Sequence, residues 1–486
     1  METRKGNSAA AVENTTGGIP DLSAASARES SKFGAILVAI YAFIEASRIL
    51  ELSSIYKLHI PLFLFVILAL VTLGMLIQRG IHGFLDNKAS FCFAALTVWV
   101  VISFPLSEWR AVSFPLIEKT IQGLILFVAV AQLGSTEKHW RWIAAGFGYG
   151  ALCASIVSFF LAKTIVGGRL VIGRGGTLTD PNELALSLVI GLPFLLYTAA
   201  LSKGLKRIVL YASSILVLYS FARTGSRGGL LALMAMLLVF FILGKTTQKM
   251  AMIVACVVGI AAGVVLLPHG ITDRFTTFFA VHEDNVSNAT ESHLDSAVAS
   301  AEGRKDLLIQ SLQITAQHPL LGVGPGVFPT VARHQRVANH QSGGANLVTH
   351  NTYTEYSAEA GVLAFVFWTG TLFFCIRYAL QAYRSMSGLD DLLAFAARDT
   401  LAAMIALAVG SCFLSLAYGL KIPVLLGLTV ALHNVVQARR ENPKVAETAP
   451  ALPMLAGSAV LPASRTPLAP RKPRRFDLSG RPRNRY

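Results

Sequence analysis

An all-α polytopic membrane protein of about twelve spans is the fold class this sequence predicts. Of its 486 residues 53% are hydrophobic and only 14% charged, mean hydropathy is +0.57, and apolar windows of spanning length recur along the chain. An ordinary soluble domain carries about 25% charged residues. Crossing a hydrocarbon layer of roughly 30 Å takes about 20 helical residues. Such windows predict spans near 33–48, 61–78, 91–106, 115–134, 141–163, 183–202, 207–222, 228–244, 250–267, 359–383, 399–417 and 421–438. The first and seventh are short, so either flanking residues extend them or the count falls toward ten.

Residues 1–32 are polar and end in "ARESSK", without the charged start, apolar core and cleavage site of a signal peptide. They are expected to be a disordered cytoplasmic N-terminus that leaves the first helix in the mature protein. From 439 to 486 the chain holds 8 of its 19 prolines and 11 of its 42 Lys and Arg, a composition that cannot bury a core. That tail is expected to be disordered, basic and cytoplasmic. It supplies much of the net charge of +15, and anionic inner-leaflet lipid explains it better than nucleic acid does. With both termini inside, 27 of the 42 basic residues fall on inner segments. Arginines nevertheless crowd the outer side: Arg169, Arg174, Arg223, Arg227, Arg274, Arg304, Arg333 and Arg336. Charge placed against the rule points to an anionic ligand on that side.

Between 33 and 438 the predicted membrane domain is interrupted by one long polar connection, 268–358, which holds seven of the eleven histidines. Structureless loops of that length are uncommon, so helix is expected within it. "GRKDLLIQSLQITAQ" (303–317) has helical apolar spacing at Leu307, Leu308, Leu312 and Ile314, and "HPLLGVGPG" then enforces turns. A second short helix is expected over 327–338. All five cysteines, Cys92, Cys153, Cys256, Cys375 and Cys412, lie in apolar spans, so no disulfide framework is implied.

Three motifs carry polar groups to span ends. In "TLTDPNELALSLVIGLPFLL" Asp180 reads as an N-cap, Pro181 as the first helical residue and Glu183 as its reciprocal partner, with Asn182 left for a further role. In "RTGSRGG" two arginines flank a turn. A lone arginine at a helix end is ordinarily an anchor that reaches the headgroups. Here Gly225, Gly228 and Gly229 bare the backbone around Arg227, for a ligand or a neighbouring helix, and the next helix opens its N–H groups on the same spot. Guanidinium and helix N-terminus together suit phosphate, and Arg223 is the lesser candidate. In "GGANLVTHNTYTEYSAEAG" His350 is followed by Glu355 and Glu359, which would share a helix face. A neutral His350 suits proton removal from a hydroxyl. His334, His340 and His350 lack ligand-like spacing, so no metal is expected.

Taken in order, "DPNELAL", "RTGSRGG", Arg304 followed by "HPLLGVGPGVF", and "HNTYTEYSAEAG" resemble the O-antigen ligase and O-antigen polymerase superfamily over roughly residues 60 to 435. In the ligases the last motif reads His, then Asn, Ser or Gln, nine residues, Gly, two residues and Gly, Thr or Tyr. His350, Asn351 and Gly361 fit it, and Ala364 stands in the final place. The resemblance implies a C-type glycosyltransferase fold in the bacterial inner membrane, with 268–358 as a periplasmic loop beside the active site. It implies a polyprenyl-diphosphate-linked glycan donor, a glycan or lipid A core acceptor, envelope polysaccharide assembly proteins as partners, no cofactor or metal, and inversion at the anomeric carbon. His350, Arg227 and Arg304 become the expected catalytic residues. Arg223, Asn182, Asn351, Glu355, Gly324 and Gly326 become the expected substrate-binding ones. The alternative from another class is a transporter or lipid-linked glycan flippase, which twelve spans would also suit. Two related halves and a charged midplane would mark it, and the sequence shows neither.

Overall fold

A computed structural model describes residues 22–52, 60–79, 82–164, 170–171, 180–268, 271–272, 275, 288–338 and 346–441. The described residues all lie within one unit, residues 1–445. The expected tail from 442 onward, the first 21 residues, and Arg169, Arg174, Arg274 and His340 lie outside the described residues.

Helices occupy all twelve apolar windows. They are α1 (Leu22–Ser47), α2 (Ile60–Arg79), α3 (Lys88–Ser103), α4 (Arg110–Leu133), α5 (Glu137–Leu161) and α6 (Pro181–Leu201). After them come α7 (Gly204–Arg223), α8 (Arg227–Leu243) and α9 (Thr246–Leu266). The long connection contributes α10 (Asn288–Gln317), α11 (Phe328–Ala338) and α12 (Thr352–Ala360). The chain closes with α13 (Val362–Met386), α14 (Asp391–Gly410) and α15 (Lys421–Glu441). Among the described residues ten helices are long and apolar enough to cross a membrane, and α8 is a shorter apolar one. A two-residue antiparallel ladder, Lys163–Thr164 with Leu170–Val171, follows α5. The short first and seventh windows are both lengthened by flanking residues, as α1 and α7 show.

Local chemistry starts these helices where the sequence indicates. Asp180 caps α6 by accepting from the Asn182 amide at 2.7 Å, with Pro181 at the first position. Ser226 caps α8 through the Gly229 amide at 3.1 Å. Asn351 caps α12 through the amides of Tyr353 and Thr354.

The core lies around α6 and α15, the most deeply buried spans, whereas the apolar window of α9 buries no residue. Between apolar helices in lipid, close packing of small residues supplies much of the association. Accordingly, a Cβ on Gly148 would stand 2.6 Å from the Leu195 amide, and one on Gly427 would stand 2.7 Å from Val130. Trp140 and Trp99 donate from their indoles to the Leu428 and Ala360 carbonyls, tying α5 to α15 and α3 to α12.

Three expectations are corrected. The eleventh span, expected at 399–417, is α14 at 391–410, and residues 411–420 leave the helix. The tenth does not begin at 359: α12 ends at Ala360, and Gly361, at φ +85°, turns the chain before α13 starts. A Cβ on Gly361 would strike the Leu320 carbonyl, so both the φ and the close approach require glycine. The helix expected over 303–317 ends as expected, but α10 already begins at Asn288, and its buried positions differ from the apolar spacing. Leu307, Ser311 and Ile314 are buried, while Leu308 and Leu312 are exposed. Leu307 and Ile314 pack with Val323, Val327, Phe328, Val331, Ala332 and Ala358 into a small second core.

Candidate active site

The polar motifs converge at one end of the bundle. Asn182, one residue into α6, accepts a hydrogen bond from Ser226 at 2.9 Å, so the cap of α8 is fastened to the first turn of α6. Arg227 opens α8 beside this junction. Gly228 and Gly229 lie against Phe413 and Ala185, where added Cβ atoms would stand 2.7 and 2.8 Å away. Their smallness therefore serves the approach of neighbouring segments, one of the two readings the sequence allowed.

Arg304, on α10, is brought within electrostatic reach of Arg227, and Asp180 within reach of both Arg304 and His350. Burial holds the Arg304 guanidinium below its ordinary range, with Asp180 opposing. Burial first, and the Arg304 charge second, hold the His350 imidazole below its ordinary value, again with Asp180 opposing. Among the described residues neither Arg227 nor Arg304 forms an ion pair, and the buried Arg227 Nε has no hydrogen-bond partner. Asp180 is engaged in capping. Two half-buried guanidinium groups thus lie within electrostatic reach of each other, with the Asp180 carboxylate opposing at Arg304, and charge gathered in this way suits an anionic ligand.

His350 itself has φ +51°, a conformation uncommon for a residue with a Cβ and concentrated at functional sites. Its imidazole makes no hydrogen bond among the described residues, so the ring is open to a substrate proton.

The other candidates take varied places. Arg223 ends α7, donates to the Tyr219 hydroxyl at 3.0 Å and lies over that ring. Asn351 caps α12. Glu355 is buried and accepts from the Ala417 amide at 3.1 Å. Gly324 and Gly326 have φ of +111° and +72° and press against Ser107 and Leu116. Their amides donate to the Glu359 carbonyl and the Glu359 carboxylate. These two glycines thus seat the connection on α12 and the start of α4, where Ser113 donates to the Pro325 carbonyl.

Glu355 and Glu359 form a buried pair. Glu359 accepts from the Gly326 amide and the Tyr418 hydroxyl, each at 2.7 Å, so it ionises before Glu355. Burial pushes the Glu359 carboxyl up to about 7, those donors opposing. Burial and the Glu359 charge push Glu355 well above the carboxylate range. A folded pKa raised above the unfolded one makes folding take up a proton, so stability falls as pH rises from about 4.5 through about 7, where Glu359 ionises, and the still higher Glu355 extends the fall beyond that. Glu359→Gln, neutral at every pH, is expected to flatten that fall and to melt roughly 2–4 °C above the parent at pH 8. Melting curves at pH 5 and 8 check this, and an unchanged pH slope refutes it.

Two features escaped the sequence reading. Lys421, 2% exposed, donates to Ser187 at 2.6 Å and lies 3.8 Å from the Glu183 carboxylate. Glu183 in the first turn of a span was the available signal, since a charge carried into the bilayer unpaired is costly. The second is the 411–418 segment, which receives the His350 region through a series of hydrogen bonds and whose apolar composition gave no signal.

Among the described residues, His, Cys, Asp and Glu side chains form no group of three suited to a metal ion. Residues 212–369 match the family model of O-antigen ligase. A search of curated proteins gives no match.

Proposed function

We propose, from the match of residues 212–369 to the family model of O-antigen ligase, that the chain transfers or polymerises glycan from a polyprenyl-diphosphate donor onto a sugar hydroxyl. One observation carries this reading: Arg304, far from both in sequence, lies within electrostatic reach of Arg227 and of His350, and among the described residues neither arginine forms an ion pair. As the glycosyl–oxygen bond breaks, negative charge grows on the departing diphosphate, and the two arginines stabilise it. His350 takes the proton of the acceptor hydroxyl as that oxygen attacks the anomeric carbon from the opposite face, which inverts the centre. The acceptor is a glycan or lipid A core hydroxyl, and no metal is required. The test is transfer by the purified protein in vesicles, using lipid-linked glycan extracted from the source organism, with and without chelator. Absence of transfer with intact donor and acceptor refutes the reading, and loss on chelation refutes its metal-free step.

The site is placed on the periplasmic side of the bacterial inner membrane, in keeping with the surplus of basic residues on the opposite segments. A reporter active only in the cytoplasm, fused at position 290, is expected to be silent, whereas activity there inverts the orientation.

A further inference from the structure

The segment between α14 and α15 is irregular backbone at the end of a membrane bundle, where every polar group needs a partner. Its partners come from the His350 region. The Thr352 amide donates to the Ser411 carbonyl at 2.8 Å, and the Thr352 hydroxyl to the Leu414 carbonyl at 2.6 Å while accepting from the Leu416 amide at 3.1 Å. Tyr353 and Tyr356 donate to the Ala408 and Ala417 carbonyls. Within this cradle one side chain reaches the backbone of His350. Ser415 Oγ accepts the His350 amide at 3.0 Å and lies 2.9 Å from the Thr349 hydroxyl, which donates to the Asn351 carbonyl at 3.1 Å. The directions are consistent: with its oxygen taken by His350 N–H, Ser415 donates to Thr349, and Thr349 donates onward to Asn351. The loop so closed brackets the one residue of the segment with positive φ. A strained conformation persists only where its surroundings over-determine it.

We propose that Ser415 is a positioning residue for the His350 base: it fixes the left-handed turn that aims the imidazole, with Thr349 as the second link. This rests on the proposed role of His350. Ser415 lies outside the matched segment 212–369, so the arrangement joins that domain to the last two helices of the bundle.

Ser415→Ala leaves the His350 amide without its acceptor. Misplacing a reacting group by about 1 Å costs up to about 10²-fold, so kcat is expected to fall about 10- to 100-fold with donor KM within about twofold. Ser415→Thr, which keeps the hydroxyl, is expected to restore most of the rate. In a His350→Ala background Ser415→Ala is expected to add nothing, because both act through one group. Thr349→Val, near in shape and lacking the hydroxyl, breaks the second link and serves if Ser415→Ala does not fold. The assay is transfer from extracted lipid-linked glycan by purified variants of matched thermal stability. If His350→Ala is inactive while Ser415→Ala, or Thr349→Val in its stead, keeps kcat within about twofold, the positioning role is wrong and the proposed function stands. If His350→Ala is itself active, the base assignment falls, and the positioning role with it.

Discussion

Replacing His350 by alanine is expected to lower kcat by about 10²- to 10⁴-fold, the range over which a positioned general base accelerates proton transfer. Donor binding is expected to be nearly unchanged, because the base acts in the transition state and the diphosphate is held by the arginines. The acid limb of the kcat/KM profile should lie below the ordinary imidazole value of about 6.5. Burial and Arg304 both disfavour the imidazolium, so the base form persists to lower pH. Asp180 acts the other way, and Asp180→Asn should shift the limb further down. Asparagine caps helices as well as aspartate does, so the start of α6 survives and the shift reports charge. Rates with extracted donor at saturation, measured across pH 4–9, check both expectations. An acid limb above pH 7, or a His350→Ala enzyme within tenfold of the parent, removes His350 from the role.

The spans were legible because a lipid-facing helix must be apolar along its length, and twelve windows of that kind became twelve helices. The same property misplaced α14. Cys412, Phe413, Leu414, Leu416 and Ala417 keep hydropathy high past Gly410, so the window runs on although the helix stops. What ends the helix is the supply of hydrogen-bond partners from residues 349–356, a tertiary fact with no local pattern. Arg227 and His350 were visible as polar groups beside span ends, and Arg304 through its place in the order of motifs that carries the family resemblance. Ser415 was not, since one serine in an apolar run is compatible with any helix. Glu355, Gly324 and Gly326 stand in motifs that read as substrate-facing, yet the structure gives each a partner within the protein. Nearness in sequence to the proposed base carries no information about these internal partners, which come from residues 62 positions away for Glu355 and 33 for Gly326.

Arg227→Lys separates a diphosphate ligand from an interfacial anchor, and it is expected to lower kcat/KM by about 10- to 100-fold. Loss of one preorganised group that stabilises developing charge costs about 10²- to 10³-fold. Lysine keeps the charge but lacks the planar two-pronged donor, so only part of that is recovered. An anchor that merely reaches the headgroups tolerates the change. Arg223→Lys is the control, since Arg223 already donates to Tyr219, and it is expected to stay within about threefold of the parent. Stability gives a second, independent sign. Arg227 is half-buried, repelled by Arg304 and without an ion pair among the described residues, so it opposes folding instead of supporting it. Arg227→Gln should therefore leave thermal stability unchanged or raised while activity falls, the exchange expected where a site is built against the fold's own interest. Melting temperature and transfer rate measured on the same preparations settle the matter: activity and stability falling together would make Arg227 part of the scaffold.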